Sequence, residues 1–346
     1  MSEPHGGLSY GESGVDREVA ARAKSRIAQL VESTRTDDVV SRAGGFGGLF
    51  RVPGGFHKPV MVSSADGVGT KLKVAMMADR HDTVGVDLVN HCVNDILVEG
   101  AQPLFFLDYI GMGRLEQRIV EELVEGLAAG CRENDCVLLG GETAEMPDFY
   151  EPGEYDLAGF IVGMVDEDKR PGSHRVAPGQ ALIGLAASGF HTNGYSLLRR
   201  LFFDRMKLTV ADPYPGSDET VADVLLRPHR SYRQALLPLI RNGTVHALAH
   251  ITGGGIPENL VRVLSESVDA VVDRATWVVP AEFAAVQEHG RVTDDEMFLT
   301  FNMGVGMIVV TDADRAGATV KSLRDAGEHA WVIGELEAGA GRVRLA

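Results

Sequence analysis

The chain has 346 residues, 45% hydrophobic and 24% charged, a length and composition that fit about two domains with ordinary buried cores. A net charge of −16 leaves no basic field for nucleic acid or an anionic membrane, although a small phosphorylated ligand needs only a local site, and apolar runs such as MGVGMIVV are too short to cross a bilayer. Three cysteines, Cys92, Cys131 and Cys136, make neither a disulfide framework nor a zinc spacing, which suits a reducing cytoplasm.

In chain order, residues 1–16 predict a mobile Gly- and Ser-rich tail, without the basic and apolar blocks of a signal peptide. A helix is predicted from Asp16 to about Ser33, then a glycine-rich loop, AGGFGG, at 43–48. Strands are predicted at VMVSSA (60–65), LFFLDYI (104–110), VLLGG (137–141) and LAGFIVGMV (157–165). Helical patterns fall at 70–78, 83–99 and 115–131, so this half is a mixed α and β domain. The polar stretch DEDKRPGSHRVAPGQ at 166–180 is the best boundary and divides the chain into 1–169 and 170–346. Beyond it, ALIGLAA opens a second α/β domain. Helices are predicted near 194–205, 229–241 and 313–326, and strands near 269–273 and 304–311.

Four glycine-rich polar turns carry candidate chemistry. In DGVGTK, an apolar strand runs into Asp66, Gly67, Gly69, Thr70 and Lys71 before a helix. The glycines allow close approach of a ligand, a helix start attracts anions, and one acid beside one base suits a metal-bound polyphosphate; a capped turn with a solvated lysine is the alternative. GGETAEMP places Glu142 and Glu145 at a predicted strand end. GFHTNGYS gathers His191, Thr192 and Asn193 before a helix, and TGGG sets Gly253, Gly254 and Gly255 before another. On the helix at 83–99, Asp87, Asn90, His91, Asn94 and Asp95 share one side, opposite Val86, Val89, Val93, Ile96 and Leu97. A face rich in oxygen and lacking Lys and Arg suits magnesium; a satisfied polar seam between helices or subunits fits it as well. No Walker A loop, G-x-G-x-x-G, kinase motif pair or G-x-S-x-G elbow occurs, so any ATP binds in another way.

Taken together and in order, LSYGESGVD, GGFGGLF, DGVGTKL, HDTVGVDLVNHCVNDILVEGAQPLFFLDYI, GGETAEMP, GFHTNGYSLLRR, HALAHITGGGIPENL and FNMGVGMI resemble the phosphoribosylformylglycinamidine cyclo-ligase (aminoimidazole ribonucleotide synthetase) family. The resemblance runs from about Leu8 to Trp331. It implies a two-domain fold in which the N-terminal sheets pair across a homodimer, with an ATP groove near that interface. It also implies the fifth step of purine synthesis: ring closure of formylglycinamidine ribonucleotide with ATP and Mg2+. Carried over residue by residue, Asp66 and Asp95 are metal ligands and Lys71 is the phosphate-facing cation. Gly45 and Gly47 lie in a loop over the phosphates, with Gly67, Gly69, Thr70, Asn90 and Glu142 about the nucleotide. His191 serves the substrate phosphate or a proton transfer, or is a structural turn histidine. Asn193 and Gly253–Gly255 face the substrate. Related phosphotransferases fit less well. The first cysteine is Cys92, the chain ends GRVRLA without a terminal Cys, and GGETAEMP and FHTNGYS are not thiamine-monophosphate kinase motifs.

Overall fold

A computed structural model describes residues 26–41 and 45–346. The expected tail, the start of the first helix and the first residues of the glycine loop lie outside them; residues 26–32 are helical (α1). The first half builds a four-stranded sheet from β1 (Pro59–Gly67), β2 (Gln102–Met112), β3 (Val137–Glu145) and β4 (Tyr155–Asp166). The order is β1-β4-β2-β3, and only β2 and β3 run parallel. Helices α2 (Lys71–Ala78), α3 (Asp82–Leu97) and α4 (Gln117–Glu133) complete this half. α4 buries Ile119, Val120, Leu123, Leu127 and Cys131 at helical spacing.

Alternation along these strands makes a two-faced sheet. Phe106, Ile110, Leu157 and Ile161 are fully buried on the helix side, whereas Met61 and Phe160 stand on the outer side, 61% and 47% exposed. Within a single chain β2 and β4 are therefore buried on one face.

The second half is a six-stranded sheet in the order β10-β7-β9-β5-β8-β6, antiparallel except for β10 on β7. Its strands are β5 (Gln180–Ala186), β6 (Ala247–His250), β7 (Val268–Val272), β8 (Val305–Asp312), β9 (Ala330–Ala338) and β10 (Val343–Leu345). β5, β6 and β8 are almost continuously buried. Leu236, Ile240 and Leu323 pack on one side and Ile256 and Leu260 on the other. The predicted helix at 194–205 is present as α5 (Tyr195–Arg199) continuing into a π-helical turn, Arg200–Arg205. Short helices α6 (Val221–Leu225), α7 (Arg233–Arg241), α8 (Gly255–Leu260), α9 (Ala281–Gly290), α10 (Asp294–Thr300) and α11 (Ala316–Asp325) fill the connections.

Residues 166–180 contain two single 3₁₀ turns. The apolar core nevertheless crosses this boundary, because Val68, Leu72 and Ala75 share one cluster with Phe190, Tyr195 and Leu198.

Candidate functional site

The polar side of α3 has two edges. Asp87, Asn90 and Asn94, along one edge, meet the irregular segment between α6 and α7. His229 N–H donates to Asp87 Oδ1 at 2.7 Å, Asn90 Nδ2 donates to His229 O at 2.8 Å, and Asn94 Nδ2 donates to Arg230 O at 2.8 Å. Asn94 Oδ1 accepts from Tyr232 N–H at 3.1 Å. These bonds join the two halves of the chain. Asn90, expected near the nucleotide, is thus part of the seam.

Lys71 belongs to the same seam. Its side chain is fully buried, with Nζ 2.8 Å from the Asp87 carboxylate. Nζ also donates to Arg227 O at 2.8 Å and to His191 O at 3.1 Å. All three ammonium protons are used, so the phosphate-facing cation expected from DGVGTK is instead a buried ion pair. Burial pulls the Lys71 pKa down against the pull of Asp87, and pushes the Asp87 pKa up against the pull of Lys71.

The other edge of the stripe, His91 and Asp95, is different. β1 carries Asp66 to the edge of α3, and the chain turns at Gly69 with φ +66° before α2 begins. There His91 Nε2 lies 2.7 Å from Asp66 Oδ2 and 3.7 Å from Asp95 Oδ2, and His250 Nδ1, from the end of β6, lies 2.9 Å from Asp95 Oδ1. Ser64 Oγ donates to Asp95 Oδ2 at 3.1 Å. The outer nitrogens are held as well. His91 Nδ1 is 2.8 Å from Thr192 Oγ1, His250 Nε2 is 3.0 Å from His229 Nε2, and Thr192 Oγ1 is 3.4 Å from His229 Nδ1. The two imidazoles are enclosed, while the Asp66 and Asp95 side chains remain 41% and 27% exposed. Burial alone would raise both carboxylates; the histidines hold them below the usual aspartate value. Burial opposes charge on His91, but Asp66 and Asp95 raise its pKa above the ordinary histidine value.

His191 has a left-handed backbone, φ +58°, and is 1% exposed. Its ring stacks on His229 at 3.9 Å, and Nε2 accepts Ser188 N–H at 3.2 Å. Burial, with positive neighbours, drives its pKa well below the usual value, so the ring is neutral. A neutral, enclosed imidazole does not serve as a phosphate cation, which leaves the proton-transfer and turn-histidine readings.

Asn193 stands beside Gly253, and its buried Nδ2 finds no acceptor. Gly255 has a packing role, because a Cβ there would overlap Phe298 O of α10, and Gly254 takes φ +91°. Thr70 Oγ1 lies 3.3 Å from Ser196 Oγ across the seam. Gly140, Gly141 and Glu142 lie inside β3 rather than at its end. The missing side chain of Gly141 leaves room for the Asp108 carboxyl, which burial, aided by Glu142, pushes up to about 7. Register places Gly67 and Glu142 in one row across the outer face, three strand steps or roughly 14 Å apart, and Asp66 on the opposite face. The loop of Gly45 and Gly47 is exposed, and Gly48 packs on Leu139 while Phe50 meets Phe105 on the outer face. One chain therefore does not bring this loop or Glu142 to Asp66.

Residues 52–165 match the family model described as AIR synthase related protein, N-terminal domain, and residues 177–345 the corresponding C-terminal domain. A phosphoribosylformylglycinamidine cyclo-ligase of Trichlorobacter lovleyi is 47% identical over 97% of this chain and 96% of its own length. Another, from Geotalea daltonii, is 48% identical over 95% of each. The chain belongs to the phosphoribosylformylglycinamidine cyclo-ligase family. Among solved structures, a thiamine-monophosphate kinase of Stenotrophomonas maltophilia has the same fold. Its TM-score is 0.69 at 18% identity, and 96% of both chains is covered. The hydrogenase maturation protein HypE in complex with ATP gives 0.68 at 19% identity, with 94% of this chain and 90% of that one covered.

Family motifs pointed to Asp66 and Asp95 but not to the roles of His229 and His250. His250 directly precedes the TGGG turn at a strand end, a signal available in the sequence. His229 sits in an irregular segment without periodicity and had none.

Proposed function

We propose that this chain closes the imidazole ring of formylglycinamidine ribonucleotide, with ATP giving ADP and phosphate and 5-aminoimidazole ribonucleotide as product. The observation that carries this is the near-complete overlap with cyclo-ligases at 45–48% identity. A formamide oxygen is a poor leaving group. Its attack on the terminal phosphorus of ATP forms an O–P bond and releases ADP, leaving an iminophosphate. The neighbouring amidine nitrogen then attacks the former formyl carbon. The C–O bond breaks, the oxygen departs within inorganic phosphate, and a proton is lost from nitrogen. Such chemistry asks the protein chiefly for positioning and charge neutralisation.

Asp66 and Asp95 are exposed carboxylates with low pKa values, a donor set that fits Mg2+. Bound there, the cation would neutralise charge developing on the phosphates. Asn193, whose Oδ1 faces Gly253 and whose buried Nδ2 lacks an acceptor, would offer that amide to a substrate oxygen. Lys71 and His191 act through the seam, holding α2 and the 191–193 turn in place. In this reading residues 1–169 carry nucleotide binding and dimerisation, with the Gly45–Gly47 loop and Glu142 on the outer face, and residues 170–346 complete the substrate site. Exposed Met61 and Phe160 on that face support a homodimer. The buried free thiols fit a cytoplasmic setting, and among the described residues no helix is long and apolar enough to cross a membrane.

The test is a heavy-oxygen label on the formyl group. One labelled atom per turnover is expected in inorganic phosphate; label in water, or no ring-closed product with substrate and Mg-ATP saturating, overturns the reading.

A further inference from the structure

The arrangement about Asp95 holds more nitrogen than a magnesium site needs. His91, Asp95 and His250 offer ligand atoms that all lie within 4.8 Å of one another, and Asp66 Oδ2 borders this group, 2.7 Å from His91 Nε2. Each imidazole nitrogen there faces a carboxylate oxygen, at 2.7 Å and at 2.9 Å. A lone pair cannot face a carboxylate at those distances, so each gap is filled by a proton or by a cation.

The opposite side of each ring is already arranged for the cation. His91 Nδ1 can donate to Thr192 Oγ1, and His250 Nε2 can donate to His229 Nε2. His229 Nδ1 can in turn donate to the same Thr192 oxygen, whose two lone pairs accept both. A hydrogen bond from the outer ring nitrogen fixes the tautomer that ligates metal and orients the ring. Ser64 Oγ orients the Asp95 oxygen in the same way. Both imidazoles come from ordered, buried positions on α3 and β6, while Asp66 and Asp95 leave the centre open for entry.

We propose that His91, His250, Asp95 and Asp66 form a transition-metal site, selective for Zn2+ and its neighbours over Mg2+. Two imidazoles and two carboxylates make a mixed nitrogen and oxygen set, which suits Zn2+ and Co2+; Mg2+ prefers oxygen alone. The site shares its carboxylates with the proposed magnesium centre but stands on the imidazoles, so its failure would leave the cyclo-ligase reading untouched. Zinc held here excludes Mg2+ from Asp66 and Asp95, which makes the enzyme sensitive to free zinc.

The experiment titrates tag-free full-length chain with Co2+ and reads visible d–d absorption, then displaces it with Zn2+. One equivalent is expected, displaced by stoichiometric Zn2+ and retained against about a 100-fold excess of Mg2+. His91→Gln and His250→Gln should each weaken binding at least about 10-fold. His246→Gln, at the separate His246–Asp312 pair, should not weaken it. Absence of a one-to-one site, indifference to both variants, or displacement by Mg2+ would overturn the proposal. If either variant fails to fold, zinc-edge X-ray absorption on the unmodified chain decides: two imidazoles in the coordination set support the site, and an all-oxygen set removes it.

Discussion

Asp87, Asn90 and Asn94 occupy one edge of the polar stripe on α3 and His91 and Asp95 the other, and the two edges do different work. The first three meet backbone N–H and C=O groups of residues 229–232, which cannot move away without unravelling their own segment. The last two meet other titratable side chains, whose protons can be replaced by a cation and whose carboxylates reach solvent. The seam residues are held by main-chain groups and by the buried Lys71, the other two by titratable side chains that border solvent. Of the two alternatives in the sequence, the polar seam describes Asp87, Asn90 and Asn94, and the magnesium reading rests on Asp95 with Asp66 alone.

The strongest test of that division is Lys71→Met. It leaves Asp87 as an unpaired buried charge, at a cost of about 3–5 kcal/mol. A fall in melting temperature of order 10 °C is expected by calorimetry; a normal melt would mean that the ion pair does not hold the seam. Asp66→Asn and Asp95→Asn should behave in reverse. Turnover at limiting Mg2+ should fall by at least about two orders of magnitude, the scale of one well-placed electrostatic group, while melting changes little. If they melt like Lys71→Met, the two edges of the stripe are one structural unit. Asn94→Ala orphans a backbone donor and a backbone acceptor and should cost about 1–3 kcal/mol in urea unfolding, with kcat nearly unchanged; a selective loss of kcat would move Asn94 to the chemical edge.

Asp108 gives the smallest effect and the only pH-dependent one. Its folded pKa of about 7 lies above its ordinary 3.8. Between those values the folded chain holds a proton that the unfolded chain has released, so this group lowers stability as pH rises through the window. Asp108→Asn should match the parent near pH 4 and exceed it above pH 7, by on the order of 1 kcal/mol after solvent screening. Equal melting differences at pH 5 and pH 8 would show that the carboxyl does not titrate there.

The sequence made β1 to β4, α2, α3 and α4 legible because each alternates or repeats over many residues. β6, β9, β10 and the short helices α6, α9 and α10 were missed, whereas α8 was expected after the TGGG turn. β9 changes register against β5 between Leu182 and Ile183, which breaks its alternation, and the short helices are too brief to show a period. The motifs singled out Asp66 and Asp95, which the fold brings to the same histidine. The misassignment of Lys71 was avoidable in part: Lys71, Val74, Ala75 and Ala78 fall on one helical stripe, so the lysine shares the apolar side of α2. That its charge ends on Asp87 could not be read, since the enclosing groups, His191 O and Arg227 O, lie more than a hundred residues away.

The seam also sets a timetable for synthesis. α3 leaves the ribosome well before residues 227–232, which satisfy Asp87, Asn90 and Asn94. At the usual pace of roughly 5–20 residues per second, the nascent first half waits on the order of ten seconds with those groups bare. Ribosome-bound chains halted near residue 200 should be cut readily by protease within α3, and chains halted well past residue 250 should resist. The N-terminal half is the first part made, but it is finished only when the second half arrives.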